Sequence, residues 1–315
     1  MSLNLQAAAE ARANISGIAI RTPLVRLNAA EHAIFLKLEN LQPIGSFKIR
    51  GAANAMTRAG RDRIARGVLT ASAGNMAQGV AYCARRFGVP ATVVTPETAP
   101  ETKLKAIERL GGRIIKVPFD TWWRTFEERS FPGVEATFIH AFDDVDVMAG
   151  NGTIGLELLE DLPDLDAVVV PWGGGGLCCG IAAVVKAQRP SVRVYAAECE
   201  TGAPLSASLE AGRPVIVDYR PSFVDGIASK TVFPGMLELA QRLVDGVVVM
   251  KLNEIAAAIR LVAERNRVIA EGAGACAVAA ALSGRAGKGK IAAIVSGGNI
   301  DLAKFSEICS AYTGS

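Results

Sequence analysis

The sequence predicts an α/β fold in two lobes, with mostly parallel sheets covered by helices on both faces. Three observations carry that expectation. Short β-branched runs alternate with amphipathic stretches along most of the chain. The strand candidates are almost wholly apolar, as strands covered on both faces must be. Finally, 315 residues, half of them hydrophobic, lie near the upper size limit of a single core, so two lobes are expected.

In chain order the expected strands are residues 67–72 (GVLTAS), 91–96 (ATVVTP), 113–118 (RIIKVP), 167–172 (AVVVPW), 192–198 (VRVYAAE), 246–250 (GVVVM) and 291–296 (IAAIVS). Between them, Ala77 to Phe87, Glu101 to Leu110 and Glu254 to Arg265 repeat apolar residues at helical spacing and read as crossover helices. Residues 121–144, with adjacent tryptophans and a Pro-Gly turn, break the rhythm and are the expected crossing between lobes. The stretch from Ala167 to Val185 carries no charge, but its proline and five glycines mark a strand, a loop and a buried helix rather than a bilayer span.

Composition narrows the functional classes. Thirty-four Lys and Arg against thirty-one Asp and Glu leave a net charge of +3, evenly spread, which argues against a nucleic-acid partner. The basic cluster at 58–66 reads as the solvated end of a helix. Six cysteines form no CxxC pair and look like reduced, buried small hydrophobes of a cytoplasmic protein, and the N-terminus shows no secretion signal.

Four stretches can carry chemistry. In VVVPWGGGGLCCG, Gly173 to Gly176 follow a strand and lead into a helix, so bare backbone N–H groups converge where an anion such as a phosphate can sit. The Lys-Ser/Thr ending of a P-loop is missing. A dinucleotide fold remains an alternative, with Glu198 at the ribose-binding position. In TASAGNMAQ, Ser72, Gly74 and Asn75 gather polar groups at a strand's C-terminal edge, although helix capping explains them equally well. IVSGGN at 294–299 is a third such loop. The fourth, SFKIRGA, holds Lys48 among apolar neighbours, where a lowered pKa makes an amine nucleophilic toward an aldehyde. A reactive lysine, a phosphate cradle and a polar crevice together point to pyridoxal phosphate.

These four stretches, in this order, resemble the fold-type II pyridoxal-phosphate enzymes, and among them the threonine/serine dehydratase and serine racemase group. The resemblance runs from about residue 20 to about 305. It implies a tryptophan synthase β-like architecture, with a large cofactor-binding domain at 1–60 and 146–315 and a small domain at 61–145 closing over the substrate. It makes Lys48 the residue that holds the cofactor covalently and then acts as general base. Asn75 would bond the cofactor's phenolic oxygen, Gly173, Gly174, Gly175, Gly176 and Leu177 its phosphate, and Ser296 its ring nitrogen. Ser72, Gly74, Asn75 and Met76 would hold the substrate carboxylate.

The implied reaction is β-elimination from a β-hydroxy-L-amino acid, giving a 2-oxo acid and ammonia. A neutral serine at the ring nitrogen makes a weaker electron sink, which favours elimination over transamination. The racemase members carry a serine where this chain has Ala73, so efficient racemisation is not expected. Met76 stands where most relatives have histidine, which leaves room for a bulkier substrate such as phenylserine. A divalent cation site of some relatives would use Glu198 and the Gly202 carbonyl, but Pro204 replaces its aspartate, so no metal is expected. Glu271 either lies near the site or caps a helix, and His32 and His140 are expected to be structural. The resemblance also implies a homodimer and an unregulated, catabolic role. Competing readings are a β-replacing synthase, a hydroxyaspartate dehydratase or racemase, and a phosphate- or nucleotide-binding regulatory module.

Overall fold

The computed structural model describes residues 3–29 and 33–311, so His32 lies outside the described residues. Among the described residues ten strands form two sheets. The larger sheet has the order β1 (Leu24–Arg26), β2 (Ile34–Leu38), β10 (Ile291–Val295), β7 (Ala167–Pro171), β8 (Arg193–Cys199), β9 (Gly246–Met250), and every pairing is parallel except the one between β1 and β2. The smaller sheet, entirely parallel, has the order β5 (Gly112–Val117), β4 (Ala91–Pro96), β3 (Val68–Ala71), β6 (Thr137–Phe138).

The apolar runs become strands for the expected reason: β7 and β10 are buried at every position, so both of their faces are covered. One core beneath the larger sheet joins Leu36, Val169, Ala197 and Val295 to the helix Gly272–Leu282, and a second lies on the opposite face against the helix Gly176–Gln188. The region 167–188 is therefore strand, loop and helix, and among the described residues no helix is long and apolar enough to cross a membrane.

Three strands escape the sequence reading. β2 hides because its fourth residue is Lys37, which breaks an apolar pattern, yet this lysine is fully buried and pairs with Glu157 at 2.6 Å. β1 and β6 are only three and two residues long. The 121–144 region divides into the end of the helix Phe119–Glu128, the strand β6 and a turn that enters the helix Val145–Asp161.

A buried ionic network fixes the helix Lys48–Ala59. Arg50, 1% exposed, donates to both oxygens of Glu39 and both oxygens of Glu157, and Lys37 shares Glu157. This helix packs its apolar face, including Ile49, Ala52 and Met56, into the core beneath the smaller sheet. Its first residue is Lys48, so the network holds the lysine-bearing end of the helix between the two sheets.

Candidate active site

Lys48 is delivered to the C-terminal end of β10, the edge where ligands of parallel α/β sheets bind. The N–H of Phe47 donates to the carbonyl of Ser296 at 3.0 Å, and Ser46 bridges to Gly297. The lysine is thereby tied to the strand by the residues just before it. Its Nζ donates to the main-chain carbonyl of Ala141 at 2.6 Å and lies 5.0 Å from the Phe47 ring centroid. Burial lowers the amine to about 8, while the nearby Glu271 carboxylate pulls the other way. A lysine near 8 supplies a substantial neutral fraction at mild pH, which nucleophilic or base chemistry needs.

Asn75 begins the helix Asn75–Phe87 at the end of the smaller sheet. Its Nδ2 donates to Glu271 Oε1 at 2.8 Å, and its Oδ1 accepts from Asn299 Nδ2 at 2.8 Å. Asn299 also donates to the carbonyl of Ile44, four residues before Lys48. The SAGN and SGGN loops and the lysine segment thus share one hydrogen-bonded cluster. Burial, and then the neighbouring Asp225, raise the Glu271 carboxyl to about 7. Glu271 sits at the cap of the helix Gly272–Leu282, but its side chain makes no capping bond, so of its two expected places it occupies the one at the site.

Ser72 Oγ accepts from the N–H of Gly74 at 3.2 Å, and nothing lies within 4 Å of a Cβ built on Gly74. The loop is open on that side, and no side chain caps the helix N-terminus behind it, so its first N–H groups can receive a carboxylate. Met76 does not border this opening. Its side chain is 2% exposed and packs in the core with Ile49 and Val80. The case for a roomier substrate pocket at Met76 therefore falls; only its backbone remains near the loop.

The glycine loop is a cradle with no room for side chains. A Cβ at Gly174 would lie 2.0 Å from the Phe142 ring, and one at Gly176 would lie 2.6 Å from the Phe142 carbonyl. Gly175 has φ +90° and caps the helix Gly176–Gln188 without a side-chain bond. Phe142 and Trp172 account for part of this demand, so the glycines serve packing as well as any anion. Leu177 is buried in the first turn of that helix and Ser296 is 2% exposed at the end of β10. Ser46 Oγ, two residues before Lys48, is buried with no hydrogen-bond partner among the described residues. An aldehyde-bearing, phosphorylated pyridine fits the chemistry of this set: a buried amine, a helix N-terminus in a glycine cradle, and polar side chains at the neighbouring strand ends.

Glu198 has a different occupation. Its two carboxylate oxygens accept the N–H groups of Leu205 and Ser206, both at 2.8 Å, and cap the helix Pro204–Ala211. Among the described residues no group of three or more His, Cys, Asp or Glu is arranged to hold a metal ion.

The sequence reading missed Asn299, the Ala141 carbonyl and Phe142. Asn299 ends the quoted SGGN motif and was within reach as a signal; the other two contribute a backbone atom and a packed ring, which no residue pattern announces.

The family model described as pyridoxal-phosphate dependent enzyme matches residues 15–297. An L-threonine ammonia-lyase of Thermotoga maritima is 42% identical over 311 residues, covering 95% of this chain and 76% of the relative. A catabolic L-threonine dehydratase of Staphylococcus aureus is 38% identical over 312 residues, covering 95% and 90%. Maize serine racemase superposes with a TM-score of 0.90 at 32% identity, over 99% of this chain and 98% of that one.

Proposed function

The chain belongs to the pyridoxal-phosphate dependent enzymes, and from that premise we propose that it is an ammonia-lyase acting on a small β-hydroxy-L-amino acid, threonine or serine. The observation that carries this reading is the placement of Lys48, its pKa lowered by burial, against the 141–142 turn that covers an uncapped helix N-terminus built of glycines. Relatives named for L-threonine support the small substrate. A phenylserine-sized substrate has no support in them, nor in the buried position of Met76.

Lys48 holds the cofactor, with the loop Gly173, Gly174, Gly175, Gly176 and Leu177 for its phosphate, Asn75 for its phenolic oxygen and Ser296 for its ring nitrogen. Bound pyridoxal phosphate supplies the electron sink that acidifies the substrate Cα–H bond. Ser72 and the backbone of Gly74, Asn75 and Met76 hold the substrate carboxylate against the helix N-terminus. The neutral amine of Lys48 takes the Cα proton at Nζ, and the Ala141 carbonyl 2.6 Å away accepts a bond from the ammonium so formed. Loss of that proton and of the β-hydroxyl removes one water, and uptake of one water by the product releases ammonia and the 2-oxo acid. Residues 61–145 close over the substrate, and residues 1–60 and 146–315 carry the cofactor. A homodimer and a cytoplasmic location belong to the same reading, the first resting on the resemblance alone and the second on the six cysteines without a CxxC pair.

The test is release of ammonia and 2-oxo acid from L-threonine, L-serine, D-serine, threo-3-hydroxyaspartate and threo-phenylserine, with Lys48→Ala as control. Turnover of L-threonine or L-serine, lost in the control, is expected. A cofactor-loaded protein that turns over neither, but consumes an activated serine when a thiol is added, is a β-replacing synthase instead.

A further inference from the structure

We propose that His140 is a positioning residue for Lys48: its ring nitrogen holds the 140–143 turn in the shape that presents the Ala141 carbonyl to the lysine and lays Phe142 along the glycine loop. This inference rests on Lys48 being the base of the reaction.

His140 is 1% exposed, and its ring centroid lies 4.3 Å from that of Phe126 and 4.8 Å from that of Phe142. Nδ1 accepts two main-chain N–H groups, those of Phe142 at 3.2 Å and Asp143 at 2.8 Å. The hydrogen-bond pattern therefore assigns the proton of the neutral ring to Nε2, which has no partner among the described residues. Between the two ends of this clasp stands Ala141, whose carbonyl receives Lys48 Nζ at 2.6 Å. The residue after it covers Gly174 and Gly176. One imidazole nitrogen thus sets both the acceptor of the lysine and the wall of the cradle.

The acceptor is present at every working pH. Burial, with Arg129 and Lys48 as the nearby cations, holds the imidazole down at about 3. The charges around the turn are Arg129, which bonds Asp143 at 2.8 Å, and Lys48, which faces Glu271. A protonated ring would turn the acceptor into a donor and release both N–H groups, so neutrality is a condition of the geometry.

Packing alone does not need a histidine here. Phenylalanine fills the same aromatic site but leaves two N–H groups without an acceptor, which favours a different turn. A short side-chain oxygen, by contrast, can make the same clasp, and this chain shows it four residues on: Asp144 Oδ1 accepts from the N–H of Asp146 at 2.8 Å and of Val147 at 3.1 Å. Asparagine at 140 keeps the acceptor and sacrifices the ring, whereas phenylalanine does the reverse.

The two variants separate positioning from packing because the two roles rank them in opposite order. His140→Phe is expected to lose roughly tenfold or more in kcat with KM little changed, and to attach added pyridoxal phosphate to Lys48 more slowly, followed by visible absorbance. His140→Asn is expected to melt lower and to keep kcat and attachment rate within about threefold. Phenylalanine with full kcat, or asparagine as impaired as phenylalanine, overturns the inference. If the phenylalanine variant does not fold, His140→Leu takes its place, and the asparagine result stands by itself, since a large loss of kcat there is already contrary. An inactive unsubstituted holoenzyme instead points to failure of the proposed activity, which leaves the attachment rates to judge the positioning role.

Discussion

Asn75 Nδ2 lies 2.8 Å from Glu271 Oε1, a bond that joins the end of the four-stranded sheet to a helix packed on the six-stranded one. The two loops that flank Lys48 are therefore held at fixed separation by a carboxylate whose own ionisation falls near 7.

That carboxylate bears on the pH dependence. In the proposed role Lys48 acts as a base only when deprotonated, so the activity should be present above its pKa, about 8, and be lost as pH falls through that value. Glu271 is the group that pulls the lysine upward. Glu271→Gln keeps an acceptor for Asn75 but removes the charge, so the acidic limb of the kcat profile should move to lower pH. Profiles of both enzymes between about pH 6 and 10 check this, and a limb that stays in place would show that Glu271 does not face the working base.

The glycine cradle makes a steric prediction. Gly174→Ala puts a Cβ 2.0 Å from the Phe142 ring, and the ring must move or the loop must open. A cost of about 1–3 kcal/mol corresponds to cofactor binding weakened by roughly 5- to 150-fold. Gly235→Ala, at a position where a Cβ meets nothing within 4 Å, is the matched control and should bind the cofactor normally. Equilibrium titration with pyridoxal phosphate measures both.

Arg50 makes a stability prediction. Burial pushes the Glu39 carboxyl up, but the charge and hydrogen bonds of Arg50 outweigh it and hold the group below its usual range. Arg50→Met leaves Glu39 and Glu157 buried, with Lys37 the remaining cation, and should cost about 3–5 kcal/mol in urea unfolding near neutral pH. Because a depressed carboxylate stabilises the fold above its unfolded pKa and ceases to do so as pH falls, the deficit should narrow in acid. A uniform deficit at all pH values would assign the effect to lost packing.

Ala73 bears on stereochemistry. It stands half-buried between Ser72 and Gly74, at the position where the resemblance to the racemases implies a second serine. The unsubstituted enzyme should convert L-serine to product without forming D-serine, and Ala73→Ser should form D-serine at a rate chiral chromatography can measure. Its complete absence in the variant would mean that the added hydroxyl does not reach the substrate.

Much of this site was legible because its chemistry depends on local runs. A lysine two residues after Ser46, four glycines after a strand, and polar residues at two other strand ends are patterns of adjacent residues, and the alternation of apolar runs with helical spacing is equally local. Met76 and Glu198 show the limit. Both stand beside the right motifs, but one side chain turns into the core and the other caps a helix, and neither direction is written in the neighbouring residues.

The sequence by itself determined the parallel α/β architecture and the pyridoxal-phosphate chemistry, and it nominated Lys48 and the glycine loop, since each follows from residue type within a short window. Only the tertiary structure decided that Lys37 lies buried in a strand, that Asn299 joins Asn75, and that a carbonyl set by His140 receives the lysine. Apart from the His140 clasp, whose partners stand two and three residues on, these are contacts between groups dozens to hundreds of residues apart, and whether a buried charge, amide or carbonyl finds its partner depends on how the sheets and helices pack, because desolvation penalises such groups unless the fold supplies the partner.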